Sequence, residues 1–129
     1  MENRRKVLAL IAHDNKKPQM AIWASTHRER LSLFELVGTG HTAKLVKEAT
    51  GQEVRGFLSG PMGGDQQIGA AIAQREIDAV FFFWDPLSSQ PHDPDVKALM
   101  RIAAVYDIPF ATNEATASAV LSYLATHSN

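Results

Sequence analysis

The chain contains no cysteine. That excludes disulfides, thiolate nucleophiles and cysteine–metal sites, and it suits a reducing compartment. It also has no apolar stretch of membrane-spanning length near its start: the run Val7 to Ala12 is short and gives way to His13-Asp14. No small-residue cleavage site follows that run, so no signal peptide is expected. Neither sign of charge is in excess. Thirteen Lys and Arg against fourteen Asp and Glu leave a formal net charge of −1, which gives no basic field for nucleic acid or an anionic membrane. The basic lead-in Arg4-Arg5-Lys6 is a solvated approach to a strand. The chain shows no internal repeat, low-complexity stretch or long linker. A cytoplasmic protein without nucleic-acid or membrane partners is expected.

What is present is ordinary globular material. With 129 residues, 45% of them hydrophobic and 21% charged, the chain suffices for one domain with one core, spanning 1–129. Its pattern is an alternation of strand and helix. Val7 to Ala12 is a continuous apolar run, as in a strand buried on both faces. Pro18 to Arg30 reads as a helix with proline in its first turn, and Phe34 to Val37 as a second strand. His41 to Ala49 has helical spacing and stops at Thr50-Gly51. Val54 to Leu58 is a third strand, weakened by Gly56, and Gln66 to Arg75 a helix. Ala79 to Trp84 is the clearest strand; its aromatic run is core material. A helix over Asp95 to Tyr106, a strand over Phe110 to Thr112 and a helix over Ala115 to Ala125 complete the series. About five strand–helix units predict a parallel sheet with helices on both faces, a three-layer α/β/α sandwich. Covering both faces requires a reversal of winding, and ligands bind outside the carboxyl ends of the strands near it.

In a parallel sheet, residues following each strand share one edge. These are His13, Asp14, Lys16 and Lys17; then Thr39-Gly40-His41-Thr42; then Ser59-Gly60-Pro61-Met62-Gly63-Gly64-Asp65; then Asp85-Pro86 and Pro91-His92-Asp93-Pro94-Asp95; and finally Asn113. Helix N-termini lie on the same edge and favour Asp, Thr and Ser as caps. Capping alone would therefore account for Asp65, Asp93, Thr39 or Thr42, and the helix dipole for Asp95. It gives no reason for His13 and His92 at two strand ends, nor for the glycine-rich third loop.

Thr39-Gly40-His41-Thr42 opens a helix, where backbone N–H groups, hydroxyls and the dipole suit a phosphate. Lys17 adds a positive charge and Ser59-Gly60 a hydroxyl and an N–H. The pattern is neither a Walker loop nor a dinucleotide fingerprint. Asp14, Asp65, Asp85, Asp95, His13 and His92 near a bound phosphate ester suit proton abstraction beside a carbonyl. They would equally suit a divalent metal, and spacing does not choose between the two.

Six motifs carry a resemblance. They are Ala12-His13-Asp14, Thr39-Gly40-x-Thr42, Leu58 to Gln67 (Leu-Ser-Gly-Pro-Met-Gly-Gly-Asp-Gln-Gln), Phe83-Trp84-Asp85-Pro86-Leu87, Pro91 to Leu99 (Pro-His-Asp-Pro-Asp-Val-Lys-Ala-Leu) and Pro109-x-Ala111-Thr112-Asn113. Over about Val7 to Ala117 the chain resembles the methylglyoxal synthases. The resemblance implies a parallel α/β sandwich of flavodoxin-like winding, a homohexamer, and a carbon–oxygen lyase. That lyase converts dihydroxyacetone phosphate to methylglyoxal and inorganic phosphate with neither cofactor nor metal, as a glycolytic bypass. Inorganic phosphate, the product, is then also an expected inhibitor.

Position by position, the resemblance implies that Asp65 is the base removing a proton from the hydroxyl-bearing carbon. It makes His92 the electrophile and proton shuttle at the enediol oxygens and puts Asp95 and Asp14 in the same catalytic pocket. Substrate contacts fall to His13, Lys17, Thr39, His41, Thr42, Ser59, Gly60 and Asp85. If the C–O bond to phosphate stands perpendicular to the enediolate plane, phosphate leaves; held in plane, isomerisation is favoured. The phosphate grip must therefore orient as well as bind.

The sequence departs from the family pattern Thr-Gly-Thr-Thr-Gly, reading Thr39-Gly40-His41-Thr42-Ala43. His41 replaces a hydroxyl and Ala43 a glycine. Several family members carry a tail arginine that reaches a neighbouring subunit, whereas no Lys or Arg follows Arg101 here. A similar domain also serves as a non-catalytic phosphate- or nucleotide-sensing module in carbamoyl phosphate synthetase, which is the alternative reading. Such a module has no need of Asp65, His92 and Asp95 together. A phosphoacceptor receiver is set aside, because Ser59 and Asn113 stand where it needs Asp and Lys. A metal-dependent hydrolase using His13, Asp14, His92 and Asp95 is a third reading.

Overall fold

A strand buried along its whole length, β1 (Val7–Ala12), forms the middle of a five-stranded parallel sheet. A computed structural model of the chain describes residues 5–59, 62–87 and 93–127. The other strands are β2 (Glu35–Thr39), β3 (Val54–Phe57), β4 (Ala79–Phe83) and β5 (Phe110–Ala111), in the spatial order β3-β2-β1-β4-β5. Among the described residues six α-helices accompany them: α1 (Lys17–Thr26), α2 (Arg28–Leu31), α3 (Gly40–Thr50), α4 (Gly64–Ala73), α5 (Asp93–Val105) and α6 (Glu114–His127).

The two faces of the sheet follow from the period-2 alternation of strand side chains. Leu8, Leu10 and Ala12 join Phe81 and Phe83 on one face, against α1, α3 and α6. Val7, Ala9 and Ile11 join Val80 and Phe82 on the other, against α4 and α5. Both faces of β1 and β4 are covered, which is why these two strands are unbroken apolar runs. Burying each large apolar side chain contributes about 1.5–3 kcal/mol. On the first face the Trp23 ring meets Phe81 and Phe83 edge-on, with centroids 5.5 and 5.6 Å away. The edge strand β3 is only partly covered, in keeping with its weaker apolar pattern.

The winding runs outward from β1 through β2 to β3, then crosses back to β4 on the far side of β1. The expected reversal thus lies between β1 and β4. The crevice it opens at the carboxyl ends of those strands is where a ligand binds in such sheets.

Local boundaries differ from the sequence reading where side chains or loops intervene. The helix expected over Pro18 to Arg30 is split at His27, whose backbone (φ −105°, ψ 20°) leaves the helical region. His27 lies against Trp23 and Ser118, and the turn lets Leu31 enter the core. A short 3-10 turn at Asp14–Lys16 precedes α1, closed by the Lys16 N–H donating to the His13 carbonyl. Helix α4 begins at Gly64 rather than Gln66, and α5 at Asp93 rather than Asp95.

Candidate active site

The crevice is a cleft of about 430 Å³ at the carboxyl ends of β1, β2, β3 and β4. Of the twelve residues expected in the site, nine line it: His13, Asp14, Lys17, Thr39, His41, Thr42, Ser59, Asp65 and Asp85. Gly60 and His92 lie outside the described residues. Asp95 is in the first turn of α5, and its side chain also lies outside them. Asn15 lines the cleft as well and was not singled out from sequence; its place in the loop after β1 is the signal that would have found it.

One wall is the start of α3. The first N–H groups of a helix have no intrahelical acceptor and carry the positive end of the dipole. Thr39 occupies the N-cap position, yet its side chain makes no capping bond. The capping reading of Thr39 is therefore corrected. Its hydroxyl, on a residue 5% exposed, is placed at the cleft, as is that of Thr42, which is 1% exposed. Ser59 closes over this helix start: Gly40 has φ +47°, and a Cβ there would stand 3.0 Å from the Ser59 Cβ. Ala43, a departure from the family pattern, does not line the cleft. Its methyl lies instead over Gly38 and Gly56 of the sheet, which leave room for it.

The glycine-rich loop after β3 carries Asp65 into the cleft. The Gly64 N–H donates to the Ser59 carbonyl at 2.8 Å, and the Met62 N–H to the same oxygen at 3.0 Å. A Cβ on Gly64 would lie 1.8 Å from the Leu58 carbonyl oxygen, so only glycine permits this closure. The Gln67 side chain accepts the Leu58 N–H at 2.7 Å, tying the loop back to its own helix. The N-cap position of α4 is taken by Gly63, so the rival reading of Asp65 as the cap does not hold. Asp65 stands in the first turn, 7% exposed, where the dipole favours a carboxylate.

The loops after β1 and β4 complete the cleft. Lys17 Nζ lies 2.5 Å from Asp14 Oδ1. The hydrogen bond from Lys17, and then its charge, hold the Asp14 carboxyl below the usual carboxylate range. The Asp85 carboxylate accepts the Asn15 side-chain amide at 3.0 Å and the Leu87 N–H at 3.2 Å. Chiefly through the Asn15 bond, its carboxyl is also lowered. The Asp85 N–H donates to His13 Nδ1 at 3.1 Å, and the His13 ring meets Phe82 edge-on at 5.2 Å. Among the described residues no three His, Asp or Glu side chains gather as a metal-holding group.

The arrangement gathers a helix start, Thr39, Thr42 and Ser59, a lysine, carboxylates and an imidazole around one cleft. An anion held at the start of α3 would present its neighbouring atoms to the carboxylates and the imidazole.

Comparison with known proteins identifies the family and the fold. The family model described as MGS-like domain matches residues 19–112. A methylglyoxal synthase of Clostridium acetobutylicum is 62% identical over 115 residues, which cover 89% of this chain and 79% of that protein. One from Leptospira interrogans is 58% identical over 117 residues, covering 91% of this chain and 79% of the relative. The crystal structure of methylglyoxal synthase from Elizabethkingia anophelis superposes with a TM-score of 0.85 at 51% identity, covering 92% of this chain and 78% of that one.

Proposed function

The chain belongs to the MGS-like domain family, and on that premise we propose that it is a methylglyoxal synthase acting on dihydroxyacetone phosphate. The observation that carries this reading is the cleft itself. A buried carboxylate, Asp65, shares it with the phosphate-suited group Lys17, Thr39, Thr42 and Ser59, at the sheet's winding reversal.

The phosphate sits at the start of α3, held by those residues together with Gly60. Asp65 takes a proton from the hydroxyl-bearing carbon and becomes a carboxylic acid. The electron pair left behind forms an enediolate, whose oxygens are met by His92, with Asp14 and Asp95 completing the pocket. The phosphate-bearing C–O bond, turned perpendicular to the enediolate plane by the grip, breaks with its electron pair. As it breaks, the hydroxyl on the carbon that lost its proton gives up its own O–H proton to His92 and becomes the aldehyde, so inorganic phosphate and the enol of methylglyoxal result. A proton returned to the former phosphate-bearing carbon makes the methyl group. Donors aimed at the charge of the enediolate and the departing phosphate bind the transition state more strongly than the ground state.

The same proposal makes the protein a carbon–oxygen lyase working without cofactor or metal, one domain over 1–129, cytoplasmic, a homohexamer, and inhibited by inorganic phosphate. The experiment is direct. Metal-stripped protein is incubated with dihydroxyacetone phosphate, and methylglyoxal and inorganic phosphate are followed together, with Asp65→Asn as control. Equal yields of the two products, lost in the variant, support the lyase and its base. Phosphate binding without turnover in the wild type would point to a sensing module instead.

A further inference from the structure

Building on the lyase reading, we infer that His13 meets the substrate as a neutral imidazole of fixed tautomer, donating from Nε2, and that Asn15 and Asp85 are the positioning residues that impose this state. The backbone of His13 continues the sheet, its N–H donating to the Phe83 carbonyl at 3.1 Å. The residue is 8% exposed, and its ring is wedged edge-on against Phe82. The Asp85 N–H points at Nδ1 from 3.1 Å. A backbone N–H is only a donor, so Nδ1 must offer a lone pair, and the single proton of the neutral ring falls on Nε2. A proton on Nδ1 would set two hydrogens between the same two nitrogens.

The Asp85 N–H is itself held in place. One carboxylate oxygen accepts the Leu87 N–H and the other the Asn15 side chain, which returns the chain to the loop that carries His13. His13, Asp85 and Asn15 thus close a ring between the loops after β1 and β4. Among the described residues, the charged and titratable groups around the imidazole include Asp14, Lys16 and Lys17 on its own side, His41 from α3, Asp65 from α4, and Asp85 beyond β4. The carboxylates favour a second proton on the ring, and the N–H fixed at Nδ1 opposes it there. The result is a preset Nε2–H donor for an enediolate oxygen, oriented before substrate arrives.

The test begins with imidazole 15N spectra of the substrate-free wild type at neutral pH, His13 being assigned by loss of its signals in His13→Gln. A protonated Nε2 and an unprotonated Nδ1 are expected. A proton on Nδ1, in either the other tautomer or the doubly protonated ring, overturns the inference. Asn15→Ala and Asp85→Ala should give mixed tautomers, and Asp85→Asn, which can still exchange an amide with Asn15, should restore the single one. Kinetics supply the second arm. His13→Gln places an amide N–H near the position of Nε2, whereas the shorter His13→Asn ends at the level of Nδ1 and brings no donor to the position of Nε2. The Asn variant should lose roughly 10²–10³-fold in kcat, with the Gln variant about tenfold better and both KM values little changed. Equal kcat values for the two variants overturn the donor role. A wild type that makes no methylglyoxal overturns the lyase reading instead, and the spectrum still decides the tautomer.

Discussion

The ammonium of Lys17 is 2.5 Å from the carboxylate of Asp14, three residues earlier, and both line the cleft beside the start of α3. The Asp14 side chain is 96% exposed, so the pair is screened and costs little to part. A bound phosphate would draw the lysine away from Asp14. Lys17→Met should therefore have two consequences. The Asp14 carboxyl should titrate higher, because the bond and charge that lower it are gone; a carboxyl 13C titration reads this. The KM for dihydroxyacetone phosphate should rise roughly tenfold to a hundredfold, the equivalent of about 1.5–3 kcal/mol for a charge-assisted bond. An unchanged KM would remove Lys17 from the phosphate grip.

Asp65 is buried in the first turn of α4, and an amide of the same shape can occupy its place. Asp65→Asn should lower kcat by about 10²–10⁴-fold, the usual contribution of a positioned base. Phosphate binding, measured by calorimetry, should stay within a few-fold of wild type, because the grip lies on other elements. Near-normal turnover in the variant would end the assignment of Asp65 as base.

His41 lines the cleft at the second position of α3, and it is exposed. The family pattern has a hydroxyl at this position. His41→Thr restores it, and its affinity for inorganic phosphate, measured by calorimetry at one pH, should differ from that of wild type by several-fold. Equal affinities for the two proteins would show that His41 does not reach the anion.

The three-layer fold was legible because β1 and β4 are buried on both faces and therefore lack polar alternation. The cleft was legible because a parallel sheet gathers its strand ends, so residues as distant as His13 and Asp85 had to share an edge. The spatial order of the strands was not, since periodicity says nothing about which strands are neighbours. Nor was the break at His27, which depends on Ser118, 91 residues away, nor the role of Gly64, which is set by the approach of the Leu58 carbonyl. Capping, the rival reading of Thr39 and Asp65, could not be judged from sequence, because the residue types that cap helices are also those that suit ligands; the structure shows no side-chain capping bond at Thr39 and gives the N-cap position of α4 to Gly63.

That same His27 makes folding stability depend on pH. Its ring packs on Trp23 and reaches Ser118, which also accepts the Trp23 indole N–H at 2.9 Å, so α1 and α6 are joined through it. Burial, followed by the charge of Arg30, lowers its pKa. A histidine whose folded pKa is depressed stabilises the native state above its unfolded pKa, and that contribution is lost as pH falls towards the folded value. The midpoint of thermal unfolding should therefore decline from neutral to mildly acidic pH more steeply in wild type than in His27→Gln. Identical slopes would show that the ring protonates equally well in the folded and unfolded chains.

Gly64 offers a test of the loop that carries the base. A Cβ at this position would meet the Leu58 carbonyl oxygen at 1.8 Å, and the obstacle is backbone rather than a side chain able to swing aside. Relief requires the loop after β3 to move away from α4, at the expense of the Gly64-to-Ser59 hydrogen bond. Gly64→Ala should destabilise the protein by about 3 kcal/mol, the upper end of ordinary overpacking, as measured by urea denaturation. Gly51→Ala provides the contrast, because that position is open and only its φ of +76° resists a side chain. Its cost should be about 1–2 kcal/mol, with turnover unchanged because Gly51 ends α3 far along the chain from the cleft-lining turn. In Gly64→Ala, turnover of the remaining folded protein should fall as well, since Asp65 follows directly and moves with the displaced loop. Equal stabilities for the two variants would mean that the close approach at Leu58 is not what holds Asp65 in place.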